Sequence, residues 1–277
     1  MTENQNDVIV KTNDFKLKID SKGTILNYGN LLIKKGDFVM IEGPNGSGKS
    51  TFLKLLVNEA GEYCSLESGS IFIDGKNLFD YDSDVLKRSV VVRIDQEESF
   101  KKGESAFHAL IRPAIVASCD VDNPKEIKKQ IKGLALQYYK DYLINFYHDP
   151  NSDISKYKSN PKCDYRFMYL QSASSLSGGQ QKMIHIMQGI IKAKAIGCKI
   201  MLMDEPLNNL DKENKKILLK MIDKLRQTDC ELTILLITHC KVFPNVNTVL
   251  KITNNGNENS AELIRLDECV KPYDCLD

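Results

Sequence analysis

Apolar and polar positions fall into two regimes along the chain. Up to Gln96 the pattern is strand-rich. Phe15-Lys16-Leu17-Lys18-Ile19 alternates as a half-buried strand does, and Leu31-Leu32-Ile33 reads as a second strand turning at Lys34-Lys35-Gly36-Asp37. Phe38-Val39-Met40-Ile41 is a continuous apolar run suited to a buried strand. Phe52 to Val57 then has helical spacing, with Gly61 expected to end the helix. Ser70-Ile71-Phe72-Ile73 leads into an Asp74-Gly75 turn, and Ser89 to Ile94 reads as one more strand.

Beyond Gln96 the period lengthens. From Pro124 to Tyr147 the positions Ile127, Ile131, Leu134, Tyr138 and Tyr142 share a helical face, and Lys125, Lys128, Lys129 and Lys132 fall largely elsewhere, as on a solvated face. Residues 148–175 are polar and contain Pro150 and Pro161, which predicts a long surface loop with one short element near Phe167 to Leu170. An apolar helix pattern then runs to Ile191, and Lys199 to Met203 is a continuous strand ending in Asp204-Glu205. Lys212 to Arg226 is amphipathic, with Ile217, Leu218, Met221, Ile222 and Leu225 inward. Thr233 to Thr238 is a further buried strand with His239 at its tip. Alternating strands and helices imply right-handed crossovers and a mainly parallel sheet, hence an α/β fold. The first seven residues and Asn254 to Asn259 read as loosely ordered.

Composition bounds the function classes. The chain has 277 residues, 42% hydrophobic and 27% charged, enough for one large or two small globular domains. Lys plus Arg number 38 against 37 Asp plus Glu, so net charge gives no reason to expect direct nucleic-acid binding. No apolar run approaches the roughly 20 residues a bilayer requires, and the polar start Met1 to Asp7 is unlike a signal peptide. An intracellular, cytoplasmic chain is expected, with any membrane part supplied by another polypeptide. The eight cysteines include no C-x-x-C pair and read as thiols in a reducing compartment.

One segment carries evident chemistry. Gly43-Pro44-Asn45-Gly46-Ser47-Gly48-Lys49-Ser50-Thr51 fits the G-x-x-x-x-G-K-[ST] phosphate loop and lies between an apolar strand and a helix. Its glycines let backbone N–H groups curl around an anion, and the helix directs its positive end at the same point. Lys49 is placed to reach the β- and γ-phosphates of a nucleotide. Ser50 offers a hydroxyl to Mg²⁺, a hard ion that prefers oxygen.

Further along come Leu176-Ser177-Gly178-Gly179-Gln180, the strand Ile200 to Glu205, Asn208-Asn209-Leu210-Asp211 and His239. In this order and spacing the chain resembles the ATP-binding cassette (ABC) ATPases over roughly residues 8 to 255, and in particular the nucleotide-binding subunit of an ABC transporter. The resemblance makes residues 43–51 the Walker A loop, Gln96 the Q-loop glutamine, 176–180 the signature, 200–205 Walker B, 208–211 the D-loop and His239 the switch histidine. It implies a P-loop NTPase core with a mainly parallel sheet, an N-terminal antiparallel β subdomain and an inserted helical subdomain. The expected partition is residues 1–96 for the β subdomain and first part of the core, 97–180 for the helical signature subdomain, and 181–277 for the remainder.

The implied roles agree with the residues' chemistry. Asp204 is expected on the Mg²⁺ shell with Ser50 and Gln96. Glu205 is the expected general base for the attacking water, a role typically worth about 10² to 10⁴ in rate. His239 is expected to contact the γ-phosphate. Ser177, Gly178, Gly179 and Gln180 form a second anion cradle at a helix N-terminus. In the family that cradle serves the nucleotide of an opposing subunit, which implies a head-to-tail homodimer or heterodimer around two ATP and a separate transmembrane subunit.

Departures mark a divergent member. The region from Lys18 to Ser21 lacks the usual adenine-stacking aromatic, and Phe15 and Tyr28 are the nearest. Met183 and Gln188 stand where arginines are common after the signature. Phe100, Phe107, Ala109 and Leu110 are candidates either for contact with a membrane partner or for the core of a small helical subdomain. A transporter subunit is the leading function. The alternative is a soluble, non-transport ABC ATPase acting on a protein or nucleic-acid partner.

Overall fold

The structure is a computed structural model and describes residues 7–96, 100–118, 123–143, 171–238 and 245–266. The elements in the first half are β1 (Val8–Ile19), β2 (Ile25–Gly29), β3 (Leu32–Lys34), β4 (Phe38–Glu42), α1 (Lys49–Leu56), β5 (Cys64–Ile73), β6 (Lys76–Asn77) and β7 (Val91–Ile94). Then follow α2 (Ala106–Ala117), α3 (Pro124–Tyr138), α4 (Gly178–Ile196), β8 (Ile200–Asp204), α5 (Lys212–Thr228), β9 (Thr233–Ile237), β10 (Thr248–Asn255) and β11 (Glu258–Arg265).

Two compact units arise. The first contains Met1–Asp95, Cys198–Pro206 and Asp223–Asp277, and the second Gln96–Gly197 and Leu207–Ile222. In the first unit one sheet runs β6-β5-β1-β2-β11-β10-β4-β9-β8-β7, with β3 paired to β1. From β10 to β7 every pairing is parallel. These strands are continuous apolar runs, as sheets buried on both faces require, and Phe38, Val39, Ile41, Ile200, Leu202, Leu235 and Ile237 are at most 1% exposed. Strands β1, β2, β3, β5 and β6 pair antiparallel. The α/β class and parallel core expected from the residues, and the antiparallel β region implied by the resemblance, are all present.

Two local expectations fail. The helix after the phosphate loop ends at Leu56, well before Gly61, because Asn58 takes the left-handed conformation (φ 57°). Asparagine tolerates that region and so can terminate a helix as glycine does. Asn254 to Asn259 is a tight hairpin, not a loose stretch: Asn254 pairs with Asn259 and Asn255 with Glu258 across the Gly256-Asn257 turn.

In the second unit α2 packs on α4, and the buried Gln188 amide donates to the Ala109 carbonyl at 2.7 Å. Gln188, one of the divergent positions, is therefore a helix-to-helix tie. Phe107, Ala109 and Leu110 are fully buried in α2, so of the two readings of these residues the helical core is the one realised. No helix among the described residues is long and apolar enough to cross a membrane.

Candidate nucleotide site

The phosphate loop leaves the carboxyl end of β4, a strand in the middle of the parallel stack, and feeds α1. Its conformation depends on glycine. Gly46 and Gly48 have φ of 78° and 101°, and a Cβ on Gly48 would come within 2.8 Å of Leu26. The Lys49 ammonium folds back over the loop, donating to the carbonyls of Gly43 (2.9 Å) and Pro44 (3.0 Å). A cation held in this way at a ring of N–H groups and a helix N-terminus is suited to a polyphosphate.

Asp204 ends β8, the second neighbour of β4 in the sheet, so its carboxylate reaches the same edge. The Ser50 hydroxyl lies near enough to lower its pKa. Burial pushes the Asp204 carboxyl above its ordinary value and the Ser50 hydroxyl opposes this. The charges of Glu205 and Asp95 push it up further, and Arg93 pulls it down. A hydroxyl and a carboxylate so placed are hard oxygen donors, the set that Mg²⁺ prefers when phosphates complete its shell.

Glu205 follows with φ 50°, a left-handed conformation that costs a non-glycine residue roughly 1 to 2 kcal/mol. Its N–H is fixed by the Ile237 carbonyl at 3.0 Å. Gln96 follows β7 and is exposed, its carbonyl accepting from the buried Lys182 ammonium at 2.6 Å. His239 lies outside the described residues.

The signature opens α4. Ser177 Oγ accepts from the Gln180 N–H (3.4 Å), and the Gln180 side chain accepts from the Ser177 N–H (3.0 Å), a complete capping box. A Cβ on Gly178 would meet nothing within 4 Å, and one on Gly179 would make only ordinary contact with Asn214 and Asn209. Neither glycine has positive φ. Nothing in the packing of the described residues requires glycine at these two positions.

Phe15 and Tyr28, the nearest aromatics considered for adenine, are fully buried. Their rings stack with centroids 6.1 Å apart, and Tyr28 lies 4.8 Å from Phe52 of α1, so both are core and not base platforms.

Sequence reasoning missed an ion network beside Asp204. Arg93 bonds both Asp95 (2.6 Å) and Glu59 (2.6 Å), and Lys87 pairs with Glu59 at 2.7 Å. It also missed that Asp211 caps α5, accepting from the Asn214 N–H at 2.8 Å. An acid immediately before a helix was the available signal.

The fold and loop together define a P-loop nucleotide-binding cassette. Residues 26–208 match the family described as ABC transporter, and the chain belongs to that family of ATP-hydrolysing proteins. It is 28% identical over 239 residues to the leukotoxin translocation ATP-binding protein LktB of Pasteurella haemolytica-like sp. (strain 5943B), covering 86% of this chain and 28% of that protein. It is 29% identical over 237 residues to the lipoprotein-releasing system ATP-binding protein LolD 1 of Chlorobium chlorochromatii (strain CaD3), covering 84% of this chain and 81% of that one. The chain thus spans less than a third of the length of LktB and most of LolD 1. Among solved structures it is similar to a dimeric ATP-binding cassette in a post-hydrolysis state with ADP and Pi, at a TM-score of 0.67 and 23% identity over 94% of this chain and 99% of that one. A nucleotide-free cassette from an ABC transporter gives 0.65 and 19%, covering 94% and 92%.

Proposed function

We propose that this chain is the ATP-hydrolysing subunit of an ABC transporter, closing head to tail with a second cassette on two ATP and driving a separate membrane subunit from the cytoplasmic face. The observation that carries the reading is the open first turn of α4. Glycine in a helix costs about 1 kcal/mol relative to alanine, and the packing around Gly178 and Gly179 does not repay it. Two glycines left bare among the described residues at a helix N-terminus are suited to close approach by an anion from outside, such as the terminal phosphate of a partner's nucleotide.

In this reading residues 43–51 hold the polyphosphate, with Lys49 exchanging its two carbonyl partners for phosphate oxygens. Ser50, Asp204 and Gln96 would hold Mg²⁺, which neutralises charge on the phosphates when bound. Glu205 takes the proton of the attacking water and His239 orients the γ-phosphate. Ser177 to Gln180 bind the γ-phosphate across the interface. Each charge-assisted bond of this kind adds about 1.5 to 3 kcal/mol, so a few per site favour the closed dimer while ATP lasts.

The test is light scattering of Glu205→Gln with saturating Mg-ATP, alone and with membranes of the source cell. Dimers that form with ATP and not ADP support the reading, as does sedimentation with a multi-spanning membrane protein. A monomer under both conditions contradicts it, and dimers found only in the cytosol favour the non-transport alternative.

A further inference from the structure

Both ends of the phosphate loop are held by a single hairpin, β10–β11. At its start, Gly43 (φ 156°) lies so close to β10 that a Cβ would sit 2.4 Å from the Ile252 carbonyl oxygen and 2.7 Å from Ser47 Oγ. Near its end, the Asn259 side-chain amide on β11 donates to the Ser47 carbonyl at 3.0 Å, and this bond is fully buried. Asn259 is 2% exposed and Ser47 0%. The Ser47 N–H donates to the Pro44 carbonyl at 3.2 Å.

The direction of that carbonyl matters. The Ser47–Gly48 peptide is trans and planar, so its C=O and N–H point to opposite sides. Fixing the Ser47 oxygen on Asn259 therefore fixes the Gly48 N–H, one of the groups available to a phosphate. Gly48 is pinned from below by Leu26, which is directly opposite Asn259 in the β11–β2 pairing. One short stretch of β11 thus meets the loop through a hydrogen bond and, by way of its neighbour strand, through packing.

Asparagine is a poor choice at this point for stability alone. It is disfavoured in strands, and its Oδ1 is buried with no partner among the described residues. A buried amide satisfied on one side only costs more than an apolar residue of similar size. We infer that Asn259 is a positioning residue that presets the phosphate loop for nucleotide, and that the β10–β11 hairpin acts as the loop's strut. The inference deepens the ATP reading above and rests on it.

The experiment uses the full chain, with ADP as the probe, and two variants, Asn259→Leu and Asn259→Asp. Leu removes the amide and its unmet oxygen together. Asp keeps the shape but replaces the donor with an oxygen facing the Ser47 carbonyl. The melting temperature without nucleotide and the Kd for ADP are measured for each.

A positioning role weakens ADP binding about 2- to 10-fold in Asn259→Leu, the worth of one net hydrogen bond, whatever the melting temperature does as the buried Ser47 carbonyl loses its donor. Asn259→Asp weakens ADP binding at least as much. ADP affinity within twofold of wild type in both variants overturns the inference. A fall in melting temperature with affinity retained, or failure of both variants to fold, overturns it as well, because the residue is then structural. Wild-type protein that does not bind ADP would remove the ATP reading and this inference with it, whereas wild-type binding with indifferent variants removes only the inference.

Discussion

The Ser50 hydroxyl, in the first turn of α1, acts on the Asp204 carboxylate at the end of β8 and pulls its pKa down. This does not fully offset the burial of the charge, and the Asp204 pKa stays above its ordinary 3.8. An acid whose pKa is raised by folding binds its proton more tightly when folded. Its ionised form is then a standing cost at neutral pH, relieved as pH falls through the folded value toward 3.8. Asp204→Asn is expected to melt above the wild type at pH 7 in EDTA, with the gap closing toward pH 4. If Asp204 serves the proposed Mg²⁺ shell, the same substitution should lower ATPase activity about 10- to 100-fold. Melting curves across pH and phosphate release check the two halves. A variant that melts lower at pH 7 contradicts the first.

Glu205 separates strain from chemistry. It holds φ at 50° although Pro206 favours extended backbone at the residue before it. Glu205→Gln keeps the strain and should melt with the wild type while ATPase falls about 10² to 10⁴-fold. Glu205→Gly relieves a penalty of roughly 1 to 2 kcal/mol and gives back about 0.5 to 1 in chain entropy, so it should melt level with or above the wild type and be as inactive. ATPase that survives Glu205→Gln would remove the general-base assignment.

At the head of α4 the signature glycines set stability against assembly. Gly178→Ala adds a methyl into open space and should stabilise the isolated chain by up to about 1 kcal/mol. In the proposed dimer the same methyl would face the partner's phosphate, and a misplacement of about 1 Å there can cost about 10²-fold in rate. Thermal melting together with ATP-dependent dimerisation tests the pair of expectations. Unchanged dimerisation would mean that the glycines do not form an interface.

How much was legible follows from how local each signal is. Gly43 to Thr51 declares itself because the strand before it, the glycines and the helix after it are contiguous. Asp204 does so because an unbroken apolar run ends on it. The Ser177–Gln180 capping box is likewise written within four residues. Asn259 was unreadable, since a run of asparagines has the composition of a turn, and its burial comes from Ser47, 212 positions away. Phe15 and Tyr28, the aromatics nearest the expected adenine position, are placed only by the pleat, which here turns both into the core. Gln188 departed from the family's pattern for a reason that only α2, folded against it, reveals.

The network behind Asp204 gives a pH expectation of opposite sign. Burial raises the Glu59 carboxyl, but bonds from Lys87 and Arg93 outweigh it and leave the pKa below 4.5. An acid depressed by folding contributes stability that is present above its unfolded pKa and lost as pH falls through the folded one. Glu59→Gln should therefore destabilise the protein at pH 7, by no more than about 1 kcal/mol because the pair is partly exposed, and the two proteins should converge below pH 4.5. Arg93→Ala should cost more, since Arg93 is 17% exposed and serves two carboxylates, and its loss leaves Asp95 and Asp204 facing each other without their shared cation. Urea unfolding of the three proteins at pH 7 and pH 4 checks this. A Glu59→Gln deficit that is the same at both pH values would mean that the ion pairs contribute nothing and that Glu59 acts through packing alone.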